Sequence, residues 1–331
     1  MNDRAVELLE QYDVEVIRTR KGRGAIVCDT SEGCLILKEY TGNTGRIELQ
    51  DKLLREIAQD GLIHAERIIP TKENTLFVRD VDGTAYVLKT WLEGRECNIY
   101  DRGECSSAVR LLARLHKRMQ LPSDTSGIPD RFSPEKEYEK HNRELKRVKK
   151  FLKQKGQKNW FEISLLNSFD YFLEQALEVT EEWRGYSGVF EASRTPEELV
   201  SFCHGDYQYH NILKENDGWF LVNFEKCLPD DPIRDLYLLM RKLLEKGNWS
   251  VSMGMELLSA YEAEKPLAAM SRIDLYYRLA YPEKFWKIAN FYYNSPKAWI
   301  PGRNQEKLEK LIAQEKEKQV FLDEIFRNIS V

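Results

Sequence analysis

One segment constrains the fold of this chain more than any other: Phe202-Cys203-His204-Gly205-Asp206-Tyr207-Gln208-Tyr209-His210-Asn211-Ile212-Leu213. Apolar runs enter it at 199–203 and leave it at 211–213, so the polar residues between them belong to a tight turn joining two strands. Gly205 lets the backbone turn, and His204 is placed to brace the loop by hydrogen bonding. The turn sets an acid and an amide five residues apart. Transfer of a phosphoryl group to an alcohol needs a carboxylate that accepts the hydroxyl proton, and oxygen ligands for the Mg²⁺ that bridges the phosphates. Asp206 and Asn211 fit those two roles. Downstream, Leu221-Val222-Asn223-Phe224-Glu225 reads as an apolar strand ending in polar residues, where a second metal ligand belongs. Asp235 follows at the opening of a helix, where capping and bracing are its expected tasks.

Around this loop the hydrophobic pattern changes once. The first ~90 residues read as an opening helix (3–11), strands at 14–17, 25–28 and 34–40, a helix at 45–60, and strands at 75–79 and 85–92. From Glu93-Gly94 onward the period is helical, with long helices expected at 135–155 and 160–183, a loop at 184–196, and strands only at 199–203, 211–213 and 219–224. The change marks a domain boundary near residue 93. A chain of 331 residues also exceeds what one hydrophobic core usually holds, about 250–300 residues. The lysines of 146–155 read as the solvated face of a helix whose buried stripe is Leu145, Val148, Phe151 and Leu152. Residues 305–326 read as one charged amphipathic helix.

Composition excludes several classes. Fifty Lys and Arg against 54 Asp and Glu give a net charge of −4, with no global attraction to nucleic acid or to an anionic membrane. No run approaches the ~18 apolar residues of a membrane span, and the N-terminus lacks the apolar stretch of a secretion signal, so cytoplasmic synthesis is expected. The six cysteines show no Cys-x-x-Cys pair and read as reduced, mostly buried thiols. His64, His116 and His141 show no metal spacing and read as surface or satisfied packing residues. His210 either meets substrate or fills the turn. The aromatic residues Tyr276, Tyr277, Tyr281, Phe285, Trp286, Phe291, Tyr292, Tyr293 and Trp299 recur near helical spacing, which favours core packing over a cage for a cationic acceptor.

The run His-Gly-Asp-x-x-x-x-Asn, followed by a strand and Asp-Pro-x-x-Asp-Leu, resembles the aminoglycoside phosphotransferase and choline kinase superfamily. Within it the chain is similar to the CotS-type spore coat proteins of endospore-forming bacteria, through Cys203-His204-Gly205-Asp206-Tyr207, Asp231-Pro232-Ile233-Arg234-Asp235-Leu236, Trp91-Leu92-Glu93-Gly94-Arg95 and Tyr281-Pro282-Glu283-Lys284-Phe285-Trp286. The resemblance implies an α+β, bilobal protein-kinase-like fold. Residues 1–93 would form a small antiparallel-sheet lobe with one helix. Residues 94–331 would form a larger, mostly helical lobe with the catalytic loop at 202–213 and the metal strand at 219–225. It further implies ATP and Mg²⁺ as cofactors, Lys38 on the α/β-phosphates, Gly22 and Gly24 in the phosphate-covering loop, and Trp91 and Glu93 in the hinge that meets adenine.

The chain departs from the pattern in two places. The strand expected to end in Ile-Asp ends in Val222-Asn223, which leaves Asn211, Asn223 and Glu225 as the candidate metal ligands. Glu225 would share the face of Asn223 if the strand continued. The glutamate that normally pairs the strand lysine is also unresolved among Glu48, Gln50 and Glu56. Two functions follow: a phosphotransferase acting on a small hydroxylated molecule or a coat protein, or a pseudokinase serving coat assembly. Either implies synthesis in the mother cell, deposition on the spore coat and other coat proteins as partners, without nucleic acid or membrane.

Overall fold

The protein is described by a computed structural model covering residues 7–22, 24–59, 61–129, 133–192, 198–215, 218–295 and 302–327. Residues 3–6 of the expected opening helix, Arg23 of the 21–24 turn, 193–196 of the expected loop and Trp299 lie outside the described residues. The chain divides into two compact units, residues 1–130 with 198–235, and residues 131–197 with 236–331.

In the first unit, β1 (Val16–Gly22), β2 (Ala25–Thr30) and β3 (Gly33–Tyr40) form an antiparallel meander; β1 begins two residues later than the strand expected at 14–17 and runs on through the polar residues 18–21, held there by its pairing with β2. Helix α1 (Thr44–Ala58) follows, opened by Asn43, whose Oδ1 accepts from Arg46 N at 2.9 Å. It buries Ile47, Leu53, Leu54 and Ile57. Next come β4 (His64–Ala65), β5 (Ile68–Ile69), β6 (Val78–Arg79) and β7 (Ala85–Thr90). The sheet order is β1-β2-β3-β7-β5, with β6 also on β7. The expected strand at 75–79 is thus reduced to its last two residues. Thr71 and Thr75 hydrogen-bond to each other's side chains and backbone and hold that stretch as a turn instead.

Register decides which side chains share a face. Leu37 lies opposite Leu88, and with Leu35 and Cys28 this face packs against Leu8, Leu9 and Tyr12. Lys38 lies opposite Val87, and Ile36 opposite Lys89, so both lysines project from the other face.

The same unit holds β8 (Arg95–Glu96), α2 (Arg102–Arg118) and β9 (Gln120–Pro122) before the chain leaves it. The second unit begins with α3 (Pro134–Gln154) and α4 (Trp160–Ala192). The loop expected from residue 184 is therefore helical to 192. Arg184, which forms ion pairs with Glu135, Glu139 and Glu181, continues the helix where polar composition suggested a break. Asn159 and Glu162 cap its start reciprocally, at 2.9 Å each way.

The chain then returns to the first unit with β10 (Leu199–Cys203), β11 (Ile212–Glu215), β12 (Gly218–Leu221) and β13 (Leu228–Pro229). Helix α5 (Ile233–Lys246) opens there, and α6 (Val251–Glu262), α7 (Ala269–Ala280), α8 (Glu283–Asn294), α9 (Gly302–Ala313) and α10 (Glu315–Phe326) complete the second unit. The single helix expected over 305–326 is two. The break falls at Gln314, whose Nε2 donates to Glu245 O and Asn248 Oδ1. Tyr277, Tyr281 and Phe285 are buried, with Phe285 stacked on Phe172 at 4.5 Å, so these aromatic residues pack the core. Leu145, Val148 and Leu152 form the buried stripe of α3, but Phe151 is exposed and edges against Tyr293.

Candidate active site

All the residues of the site belong to the first unit. The loop after β10 is built around Asp235, fully buried at the start of α5. Its Oδ2 accepts from His204 N at 2.6 Å, its Oδ1 accepts from Gly205 N at 2.9 Å, and His116 Nε2 lies 3.3 Å from Oδ2. Burial pushes the carboxyl up, but His116, His204 and the backbone donors more than offset it and hold it below its ordinary value. His204, also fully buried, donates from Nε2 to Val222 O at 3.0 Å and accepts from Asp206 N at Nδ1, 3.2 Å away. Burial lowers its pKa, so the ring braces the loop as a neutral group. Gly205 has φ +77°, and a Cβ there would sit 2.1 Å from Lys226 O, so no other residue fits.

Asp206 is thereby presented with a half-buried carboxylate, Oδ1 accepting from Gln208 Nε2 at 2.6 Å and Oδ2 from Lys226 Nζ at 2.9 Å. Burial raises its pKa, but Lys226 and Gln208 lower it by more, and the group is ionised at neutral pH. Asn211 Nδ2 donates to Asp206 O at 2.8 Å and closes the turn. His210 is exposed beside it, edge-on to Tyr209.

The segment after β12 differs from expectation. The strand ends at Leu221, Asn223 takes the left-handed conformation (φ 66°, ψ 55°), and 224–226 form a single 3₁₀ turn. Asparagine tolerates that conformation because its short polar side chain hydrogen-bonds locally. The cause of the break is Glu66, whose two oxygens accept from Asn223 N and Phe224 N at 3.0 Å each. Glu225 therefore does not share a strand face with Asn223. Its Oε1 accepts from Lys38 Nζ at 3.0 Å and Lys89 Nζ at 2.7 Å. The carboxylate pairing Lys38 thus comes from this turn; no such pair joins Lys38 to Glu48, Gln50 or Glu56 among the described residues. Burial raises the Glu225 pKa, but the two lysines hold it well below the carboxylate range. Lys89, buried in the sheet, also bonds Glu66 Oε1 at 3.0 Å, and these two carboxylates keep it charged against its desolvation.

The remaining expected residues lie apart from this cluster. Gly22 and Gly24 line a cavity of about 640 Å³ with Leu37, Glu39 and Tyr86, which occupy the sheet face opposite to Lys38. Trp91 N donates to Cys34 O at 2.8 Å, and Glu93 pairs with Arg20 of β1 at 3.0 Å, both on the exposed edge of the segment after β7. Residue Arg95 next to them is clasped by Glu104 of α2, which also accepts from Asn98 N at 2.9 Å and meets Lys214 of β11. The Arg95 guanidinium pulls the Glu104 carboxyl down to about 2 from an ordinary 4.5. A carboxyl depressed in the folded state contributes stability that is complete above 4.5 and lost as pH falls towards 2. Thermal melts should therefore show Glu104→Gln less stable than the parent at neutral pH, with the gap closing through that window. A gap constant from pH 6 to 2.5 would contradict the assignment.

Lys89, Glu66, Lys226 and His116 were not singled out as site residues from sequence. A lysine in an otherwise apolar strand was the signal for Lys89, but only the register with β3 gives it meaning.

The donor set can be tested against a magnesium ion, which requires near-octahedral oxygen ligands including one or two carboxylates. Asn211 Oδ1 accepts from Asn223 Nδ2 at 2.7 Å, Asn223 Oδ1 faces Lys38 Nζ at 3.5 Å, and Glu225 faces two ammonium groups. Both amide oxygens and Oε1 of Glu225 thus already meet N–H donors. The arrangement does not fit the ion.

Over residues 6–325 the chain matches the sequence family described as "Spore coat putative kinase YutH". It is 30% identical over 126 residues to spore coat protein S of Bacillus subtilis (strain 168), a match covering 38% of this chain and 36% of that protein, about a third of each. An aminoglycoside phosphotransferase structure from Alicyclobacillus acidocaldarius superposes with a TM-score of 0.84 at 20% identity, over 98% of this chain and 96% of that one. Spectinomycin phosphotransferase APH(9)-Ia, solved with ADP and spectinomycin, gives 0.61 at 13% identity over 95% and 98%. Amicoumacin kinase hAmiN, solved with AMP-PNP, Ca²⁺ and Ami, gives 0.61 at 14% identity over 96% and 92%. At these identities the structures establish the fold, which is the kinase-like α+β class that the resemblance implied. No helix among the described residues is long and apolar enough to cross a membrane.

Proposed function

We propose that this chain, which belongs to the YutH family of spore coat kinase-like proteins, is a nucleotide-binding coat protein in which phosphoryl transfer is weak or absent. Family membership supports synthesis in the mother cell and deposition on the coat, where other coat proteins are its partners. The nucleotides in the kinase-like neighbours support a nucleotide as ligand. One observation carries the reading against catalysis: the Asn223 amide donates to Asn211, while the nearest strand-end carboxylate, Glu225, is committed to Lys38 and Lys89. In that state the chain's residues orient and hold a phosphate chain, and no cluster of carboxylates among the described residues gathers a metal ion to take up the charge that transfer develops. Lys38 is the phosphate contact, Trp91 and Glu93 border the base, and the Asp235-braced loop supports the floor.

A second reading, transfer to a small hydroxylated molecule or a coat protein, is favoured by Asp206. Its carboxylate is ionised and held by Gln208 and Lys226, as a base that accepts a hydroxyl proton must be.

The two readings separate in one experiment. Millimolar ATP or ADP should raise the melting temperature, because a ligand of the folded state stabilises it by mass action. Labelled ATP should leave no phosphate on the protein or on extracted coat proteins above the level seen with Asp206→Ala. Transfer that disappears in Asp206→Ala would establish the second reading, and no thermal shift with either nucleotide would defeat the first.

A further inference from the structure

The misfit between this site and a divalent cation has a positive counterpart. Lys38, Lys89, Glu66 and Glu225 form a compact group of two cations and two anions. A site built for a metal keeps surplus carboxylate charge to hold it. This one is already neutral. Within the group the members differ in access: the Lys89 side chain is 3% exposed, whereas Lys38 is 39% and Glu225 27% exposed. Glu66 is saturated by Lys89 and by the two backbone donors of the 223–224 turn, so it stays in place whatever happens above it. Among the described residues the Glu225 side chain is held by the two lysines alone, with one oxygen bridging both ammonium groups as a phosphate oxygen would. Removing that carboxylate would leave two lysines against one carboxylate, a net positive pocket whose open side is Lys38.

We infer that Glu225 is an internal anion occupying a phosphate position on Lys38, and that nucleotide binds this chain by displacing it, without a divalent cation. Lys89 is the positioning residue: it retains Glu66 and anchors the floor while Lys38 changes partner. The inference rests on the nucleotide-binding reading above. Arg46 Nη2 donates to Glu225 O at 2.7 Å, so the backbone of the turn stays fixed and only the side chain has to swing.

Calorimetric titration of the full chain with ADP and with ATP, in buffer holding EDTA and in buffer holding Mg²⁺, tests this without any variant. The expected dissociation constants agree to within about twofold between the buffers. Glu225→Gln, which keeps the shape and removes the charge, should bind roughly tenfold tighter in EDTA, because Lys38 no longer gives up a charge-assisted bond. Lys38→Met should lose binding in both buffers. Binding seen only with Mg²⁺ would overturn the inference while sparing the nucleotide reading, and so would a Glu225→Gln protein that folds, by circular dichroism, but binds more weakly. No binding to the parent chain or to Glu225→Gln in either buffer would overturn the nucleotide reading and the inference with it.

Discussion

Asp235→Ala is expected to destabilise the first unit more than any substitution at the chemically suggestive positions. The change strands two backbone donors, the N–H of His204 and the N–H of Gly205, and removes one contact of the His116 ring, all aimed at a carboxylate that no solvent reaches. Removing one member of a buried, hydrogen-bonded pair typically costs about 3–5 kcal/mol, because the surviving partners are left desolvated and unmatched. Urea unfolding followed by circular dichroism should show a loss of unfolding free energy of that size, read as a lower midpoint at unchanged slope. Asp206→Ala is the control. Its carboxylate pairs with Lys226, whose side chain is 65% exposed, so its loss should cost no more than about 1 kcal/mol. Equal losses in the two variants would mean that the loop is not organised from Asp235.

The second large effect is a gain. Asn223→Asp should create a metal-dependent stabilisation that the parent lacks. Aspartate tolerates the left-handed backbone at this position nearly as well as asparagine. In the absence of a cation, the new carboxylate faces Asn211 Oδ1 where an amide now donates at 2.7 Å, so the variant alone should melt below the parent. Manganese or magnesium with ATP should reverse that order. At a hundredfold excess over the dissociation constant the ligand contributes roughly 2–3 kcal/mol of apparent stability. If the substitution lowers the melting temperature with metal and nucleotide as much as without, the site's inability to hold a cation has a cause other than residue 223.

The two experiments rest on different kinds of legibility. The turn around His204, Gly205 and Asp206 could be read directly, because a glycine with positive φ, a local acid and amide, and flanking apolar strands are properties of contiguous residues. The strands of 25–30 and 33–40 and the helix of 44–58 were equally readable, since a period of two or of 3.6 is a local signal; the first strand, expected at 14–17, instead runs over Val16–Gly22, where Arg18, Thr19, Arg20 and Lys21 carry no apolar alternation. Asp235 is legible as a polar residue opening an apolar helix; the donors it accepts from, His204 N and Gly205 N, are some thirty residues upstream and were not.

The partners of Lys38 were beyond the reach of pattern. Sequence placed Glu225 on the face of Asn223 if the strand at 219–224 continued, and placed a helix glutamate against Lys38; the fold does neither. Glu66, some 157 residues upstream, takes the backbone donors of Asn223 and Phe224, ends the strand, and turns Glu225 towards the lysines. Lys89 joins them only because β3 and β7 pair in a register that puts Ile36 opposite it. Sequence therefore determined the central strands, the long helices and the loop between β10 and β11, because those follow from backbone preference and local burial, while the limits at 75–79, 184–192 and 314 were set by tertiary contacts. Tertiary structure decided which charges neutralise each other, because a buried ion is satisfied by whatever opposite charge the register and the turns bring within about 3 Å, at any separation along the chain.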